Sequence, residues 1–410
     1  MARLRQEVDP GDVGLDRSAL DRLDRHFARH VEEGRIPGFL VSVAREGRVA
    51  HLTAHGHRDI AAGLPVEPDT LWRIYSMTKP VTSVAALTLM EEGRLSLDDP
   101  VARHLPVFAD ARVYTGGSGE DTTTRPAAEP IRIRHLLTHT AGLTFAFYHS
   151  HPVDALYRDA GLESSVPPGA DLAETIDVYA GLPLQFEPGT EWNYSVATNV
   201  LGRVIEVVSG KPLDVFLAER IFRPLGMPDA GFCVTDEQAG RLAELYGEKE
   251  NGGGLEPIPG LPLRGRPRFL SGSGGMVASA YDVHRFTELL RRRGELDGVR
   301  LLAPQTVDAM TANQLPGGAD LRAFGSRPAH DESGNDGVGF GLGVSVVIDP
   351  SRTKAPAGLG TYGWSGVATT TFWVDPGRDL TVQFYTQLRP RTSHTFFSDL
   401  KRLVHEAVTD

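Results

Sequence analysis

The chain has 410 residues, 40% hydrophobic and 8% aromatic, with a formal net charge of −11 and a pI near 5.7. That length supports a large core and two lobes, and the acidic balance speaks against a nucleic-acid binder, which would carry a basic surface. A single cysteine, Cys233, excludes an internal disulfide, Met1 to Glu7 show no signal-peptide h-region, and no apolar run reaches membrane-spanning length. The expectation is a cytoplasmic protein that partners neither nucleic acid nor membrane.

Asp16 to Glu33 carries Leu20, Leu23, Phe27 and Val31 at helical spacing, and Gly34 and Pro37 end it. Phe39–Ala44 and Val49–Ala54 read as two strands joined by a turn at Arg45-Glu46-Gly47. A helix runs from Ser76 to about Glu92 and stops at Gly93. Leu97 to Pro100 opens another helix or turn. Ala111 to Pro130, rich in Gly, Thr, Ser and Pro, is expected to be a surface loop. Arg134–Thr138, Leu172–Ala180, Ala197–Val208 and Pro212–Ile221 read as helices, Gly252–Gly275 as loop, and Ala280–Arg293 as a helix. Gly339–Ile348, Thr369–Val374 and Leu380–Tyr385 read as strands, and Phe397–Val408 as a closing helix. Strands lie at both ends and helices dominate the middle. The fold class is therefore α/β of the α+β type: an antiparallel sheet built from both termini and flanked by helices, with a mainly helical insertion. The expected division is 8–90 with 270–410 for the sheet domain and 91–269 for the helical one, the active site lying between them.

The chemistry concentrates at Ser76-Met77-Thr78-Lys79, followed by Pro80 and the apolar run Val81–Met90. A serine three residues before a lysine at a helix start shares a face with it. A serine hydroxyl needs a neighbour that can take its proton, and an amine in a dry pocket can do so. The same spacing occurs at Ser351–Lys354, in a turn-like context, and at Ser398–Lys401, in a charged amphipathic segment; only Ser76 precedes a run apolar enough to be buried. Only five of the 42 basic residues are lysine, so lysine at 79 fits a need for a cation that can become neutral, which guanidinium cannot.

Two further segments join it: Glu187-Pro188-Gly189-Thr190-Glu191-Trp192-Asn193-Tyr194-Ser195 and Tyr362-Gly363-Trp364-Ser365-Gly366-Val367. With Leu136–Leu143 and Gly272–Val277 in support, the set resembles the serine β-lactamase-related hydrolases (class C β-lactamases and DD-peptidases), nearest to the family VIII carboxylesterases. The resemblance runs from about Phe39 to Tyr385 and implies a serine β-lactamase-like fold. It implies Ser76 as nucleophile, with Lys79 and Tyr194 as its proton-transfer partners. It also implies the backbone N–H groups of Ser76 and Val367 as oxyanion hole, and Trp364-Ser365-Gly366 in place of the lactamase Lys-Thr-Gly triplet. Val196 stands where lactamases carry the asparagine of their second motif and Trp364 where they carry lysine, which favours an ester over a β-lactam as the small-molecule substrate. Phe145, Phe147 and Tyr148 are candidates for lining an acyl pocket, or packing or lid residues.

No cofactor or metal is implied. His55-Gly56-His57-Arg58-Asp59 resembles the start of a His-x-His-x-Asp-His motif, but Ile60 occupies the last position. His135 and His139 lack the following glutamate of a zinc protease and read as structural, and no Gly-x-Ser-x-Gly elbow occurs. The leading expectation is a serine carboxylesterase using a Ser acyl-enzyme on short-to-medium acyl esters, with acyl transfer as a further capacity. An amidase or D-aminopeptidase, a weak β-lactamase and a non-catalytic binding protein remain open at this stage, as do the base (Lys79 or Tyr194) and the oligomeric state.

Overall fold

The structure is a computed structural model that describes residues 3–250, 253–261, 263–325, 336–390 and 395–409. At its centre is a sheet of eight strands: β1 (Gly38–Arg45), β2 (Arg48–Asp59), β3 (Leu64–Pro65), β4 (Val338–Phe340), β5 (Ser345–Val347), β6 (Tyr362–Gly366), β7 (Thr370–Asp375) and β8 (Leu380–Tyr385). The sheet is antiparallel, with strand order β4-β5-β6-β7-β8-β1-β2-β3. The two ends of the chain thus meet in mid-sheet, with Leu40 opposite Tyr385 and Val43 opposite Val382. Glu46 and Gly47 both take positive φ between Arg45 and Arg48, the geometry that matches a two-residue hairpin to strand twist.

Every residue of β1 is buried, so its alternating side chains serve two cores. Phe39, Val41 and Val43, with Val382 and Phe384 of β8, face helices α1 (Arg17–Glu32) and α5 (Phe396–Ala407). Asp16 caps α1 by accepting the Ala19 N–H at 2.8 Å, and Phe27 from its apolar stripe packs 4.6 Å from Phe384. Leu40, Phe372 and Val374 face the other way, into the larger core that holds α2 (Thr78–Glu91) and α4 (Ala280–Arg291). Helix α2 is buried from Thr78 to Leu89, which explains why its run is apolar all round rather than striped.

Several segments differ from the expectations. Residues 111–130 are not simply loop: Arg112–Gly116 and Thr123–Pro126 pair as a hairpin. There the β-branched Thr122-Thr123-Thr124 run favours strand, and Arg112 donates across to Thr124 Oγ1 at 2.8 Å. Residues 339–348 form not one strand but two, β4 and β5. Gly343 sits at φ +96°, and a Cβ on Gly341 would fall 2.0 Å from the Met310 carbonyl oxygen, so the chain reverses there in close contact with its neighbour. Trp364 lies on a strand, β6, that the glycine-rich sequence concealed. Helices at Pro152–Asp159 and Pro304–Met310 were also not anticipated. The 252–275 stretch, in which Gly252 and Pro262 lie outside the described residues, is irregular apart from a short strand at Leu255–Pro257.

Candidate active site

Ser76 occupies a 3-10 turn, Tyr75–Met77, that leads directly into α2. Tyr75 is held at φ +43°, a left-handed conformation that costs a non-glycine residue on the order of 1–3 kcal/mol and concentrates at functional sites. One turn on, Lys79 is 2% exposed. Its Nζ lies 3.3 Å from Ser76 Oγ and donates to the Ser273 carbonyl at 2.9 Å. It also stands 4.5 Å from the centre of the Tyr194 ring and 5.6 Å from that of Phe145. No ion pair among the described residues involves Lys79. Burial without a carboxylate pushes its pKa well below the ordinary lysine value.

Tyr194 comes from the segment just before helix α3 (Ala197–Ser209). Asn193 anchors that segment by donating Nδ2–H to the Leu143 carbonyl at 2.8 Å. The buried His139 ring lies 4.8 Å from Tyr194. Its Nδ1 accepts the Ser195 N–H at 3.2 Å, and burial followed by the nearby Lys79 keeps the imidazole pKa well below its usual value. His139 is thus a neutral support under the tyrosine. His135 accepts the Arg132 N–H at 3.1 Å, its pKa lowered to about 4 by burial and then by Arg132 and Arg134. Among the described residues no group of three or more His, Cys, Asp or Glu could hold a metal.

Strand β6 brings Trp364 to the same place, where the indole Nε1–H donates to Tyr194 Oη at 3.4 Å. The rings of Trp364, Phe145 and Phe340 then form an aromatic wall, with Tyr194 5.3 Å from Trp364 and 5.5 Å from Phe145, and Phe340 5.3 Å from Trp364. A Cβ on Gly366 would fall 2.4 Å from the Ile74 carbonyl oxygen, and Thr370 Oγ1 donates to that oxygen at 3.4 Å. The end of β6 is therefore pressed against the turn that carries Ser76, and only glycine permits the approach. Ser365 is half-buried on β6, and Val367 follows it at 41% exposure. Val196 is 1% exposed and packs in the large core.

Phe145, Phe147 and Tyr148 divide. Phe145 touches the site; Phe147 stacks on its outer side at 4.7 Å and is 51% exposed; Tyr148 is buried behind them. The other two Ser-x-x-Lys matches separate as their contexts suggested. Ser351 is an exposed turn residue bonded to Asp349, and Ser398 lies within α5 on the opposite face of the sheet. Sequence reasoning missed Phe340 and Asn199, and treated the Gly272–Val277 segment only as a motif although the Ser273 carbonyl holds Lys79. The available signal for Asn199 was a polar residue at an apolar position of an amphipathic helix.

An antiparallel sheet whose flanking buried helix starts at a Ser-x-x-Lys pair, completed by a tyrosine from a separate segment, defines a serine hydrolase of the β-lactamase fold. Comparison with known proteins makes this specific. The chain belongs to the Beta-lactamase family, whose model matches residues 23–406. It is 33% identical to Esterase EstB of Burkholderia gladioli over 397 residues, covering 92% of this chain and 93% of that one. It is 31% identical to Lovastatin esterase of Penicillium rubens over 378 residues, covering 87% and 90%. Among solved structures it is similar to EstCE1, described as a hydrolase with promiscuous acyltransferase activity, with a TM-score of 0.79 and 30% identity across 96% of this chain and 99% of that one.

Proposed function

We propose that the chain is a serine carboxylesterase acting on small-molecule esters of short-to-medium acyl chains through a Ser76 acyl-enzyme, with acyl transfer to an alcohol as a second outcome. The observation that carries this is Lys79: a fully buried amine with no carboxylate partner among the described residues, 3.3 Å from the Ser76 hydroxyl. Burial favours its neutral form, so the Lys79–Tyr194 pair takes the Ser76 proton as Oγ attacks the ester carbonyl. The backbone N–H groups of Ser76 and Val367 receive the oxyanion, each such donor being worth a factor of ~10²–10³. The tetrahedral adduct collapses, the C–O bond breaks, and the alcohol leaves with the proton from the pair. Water then attacks the acyl-enzyme, giving a proton to the Lys79–Tyr194 pair; the acyl C–O bond to Ser76 breaks and the pair returns that proton to Ser76 Oγ, while an acceptor alcohol in the same place yields a new ester.

Substrate choice follows from β6. Trp364 gives a hydrogen bond to Tyr194 but no fixed positive charge for the carboxylate of a β-lactam, and Val196 offers no amide. Phe145 and Phe147, with Val367, Trp364, Ser365 and Gly366, are proposed to line the acyl and alcohol sites. The catalytic cleft is proposed to lie between the sheet unit (8–90 and 270–410) and the helical unit (91–269). No helix of the described residues is long and apolar enough to cross a membrane; a cytoplasmic location is proposed from the lone cysteine.

The test is turnover of p-nitrophenyl esters of increasing acyl length against a matched anilide and a cephalosporin, with a fluorophosphonate label mapped by mass spectrometry. Esters should be cleaved well ahead of the other two, with the label on Ser76. Cephalosporin efficiency rivalling that on esters would overturn the substrate reading, and a label elsewhere would overturn the site.

A further inference from the structure

We propose that Asn199 is a positioning residue for the proton transfer, because it fixes the Ser273 carbonyl that holds Lys79; this rests on the Ser76–Lys79–Tyr194 reading above. Asn199 sits in α3, has no exposed surface, and points at the loop 271–273 rather than into the cleft. Its Oδ1 accepts twice from that loop, from Ser271 Oγ at 2.9 Å and from the Ser273 N–H at 3.0 Å. Its Nδ2 donates to Tyr179 Oη at 3.3 Å, and Tyr179 in turn donates to the Ser165 carbonyl. Both acceptor directions of Oδ1 and one of the two Nδ2–H donors are thus used, which fixes the amide's orientation.

The loop has little freedom left. Thr82 of α2 donates to the Gly272 carbonyl at 2.9 Å, and a Cβ on Gly272 would fall 2.7 Å from the Thr198 carbonyl oxygen. The Ser273 N–H and C=O therefore bridge two helices: the N–H goes back to α3 and the C=O forward to Lys79 on α2. Asparagine is a poor residue for a helix interior, and a buried one is tolerated only with its hydrogen bonds made. Here those bonds end on the group that sets how tightly Lys79 holds a proton. A carbonyl at 2.9 Å favours the ammonium and opposes the effect of burial. The titratable groups facing Lys79 are Tyr194 and His139; the described residues give it no carboxylate. The Ser273 carbonyl is thus the acceptor that balances the dry surroundings, and α3 holds it along with Tyr194, which lies just ahead of the helix.

The experiment compares Asn199→Leu and Asn199→Asp with wild type on a p-nitrophenyl ester, measuring kcat and KM across pH, with Ser76→Ala and Lys79→Met as controls. Leucine removes the clamp. A shift of the carbonyl by a fraction of an ångström to about 1 Å should cost on the order of 10²-fold in kcat while KM stays near wild type, and the acidic limb of the kcat profile should move to lower pH as the ammonium loses its acceptor. Aspartate keeps the two accepted bonds and adds an anion, so it should retain more kcat than leucine and move the limb to higher pH. Opposite displacements are what a merely structural asparagine would not produce. If both variants keep the wild-type limb, or differ only in melting temperature, the proposal is wrong. If Asn199→Leu does not fold, the aspartate variant decides: an upward shift supports the clamp and an unmoved limb overturns it. Turnover surviving in Ser76→Ala or Lys79→Met would instead bring down the site reading, and this proposal with it.

Discussion

Replacing Lys79 by methionine tests the core of the proposed mechanism, which gives that amine a catalytic task beside the hydrogen bond the structure shows. The catalytic task is removed outright, and general acid–base groups contribute ~10²–10⁴-fold, so ester turnover should fall by at least ~10². The structural task is the 2.9 Å bond to the Ser273 carbonyl; leaving that carbonyl unsatisfied costs about 1–3 kcal/mol. Working against this cost is the burial of Lys79, which depresses its folded pKa below the unfolded value. Between those two values the unfolded chain binds more protons, so wild-type stability rises with pH and is lost as pH falls towards the folded pKa. This term works against the lost hydrogen bond as pH falls. Methionine does not titrate. The deficit of the variant relative to wild type should therefore be widest near pH 10 and shrink towards neutrality. Lys79→Arg should be both inactive and destabilised by several kcal/mol, since a permanent guanidinium charge would be buried without a carboxylate. The assay is p-nitrophenyl butyrate hydrolysis with urea unfolding at several pH values. A methionine variant keeping a tenth of wild-type activity, or a stability gap independent of pH, would refute the reasoning.

Tyr194→Phe keeps the ring contacts with Phe145, Trp364 and His139 and should fold normally, while turnover falls ~10²–10⁴-fold; a melting curve beside a progress curve checks both. A separate test lies at the start of α4, where Asp282 is fully buried and accepts the Ser279 N–H at 3.2 Å. Burial raises its pKa from 3.8 to about 7, with Asp229 adding to the effect. For an acid with a raised folded pKa the stability is present below the unfolded value and lost as pH rises towards 7. Asp282→Asn should thus gain on wild type by up to about 4 kcal/mol between pH 4 and pH 8; a gap that stays constant over that range contradicts the assignment.

What the sequence disclosed and what it hid have physical causes. Ser76, Lys79 and Tyr194 were legible because each lies in a short run whose composition is dictated locally: a buried helix start for the first two, and a Pro-Gly turn leading into a helix for the third. The sheet from both termini was legible because β1 and β8 are dense in β-branched and aromatic residues. The Arg112–Pro126 hairpin was not, since its polar, threonine-rich strands bury little and resemble a loop. Strand β6 was hidden because Gly363 and Gly366 answer to neighbours elsewhere in the chain: a Cβ on Gly363 would fall 2.2 Å from the Phe372 carbonyl oxygen. Asn199 stood out only as a polar residue at an apolar helix position, and its role was hidden because its partners lie on the 271–273 loop and on Tyr179.

The meeting of the two termini in mid-sheet bears on how the protein is made. The main chain of Asp16 donates to Ala407 at 2.7 Å, and Leu15 bridges to Val408, so the last helix closes on the first. Strand β1 emerges from the ribosome long before its β8 partner, which lies more than 300 residues further along the chain. Until then β1 has β2 on one edge and nothing on the other, with apolar side chains on both faces. Pairing at such sequence separation is slow and leaves the edge open to other chains. A chain stalled after β7 would hold the full set from Ser76 to Trp364 and still lack the strand that seals the sheet, so it would tend to pair with another copy before it could turn over an ester.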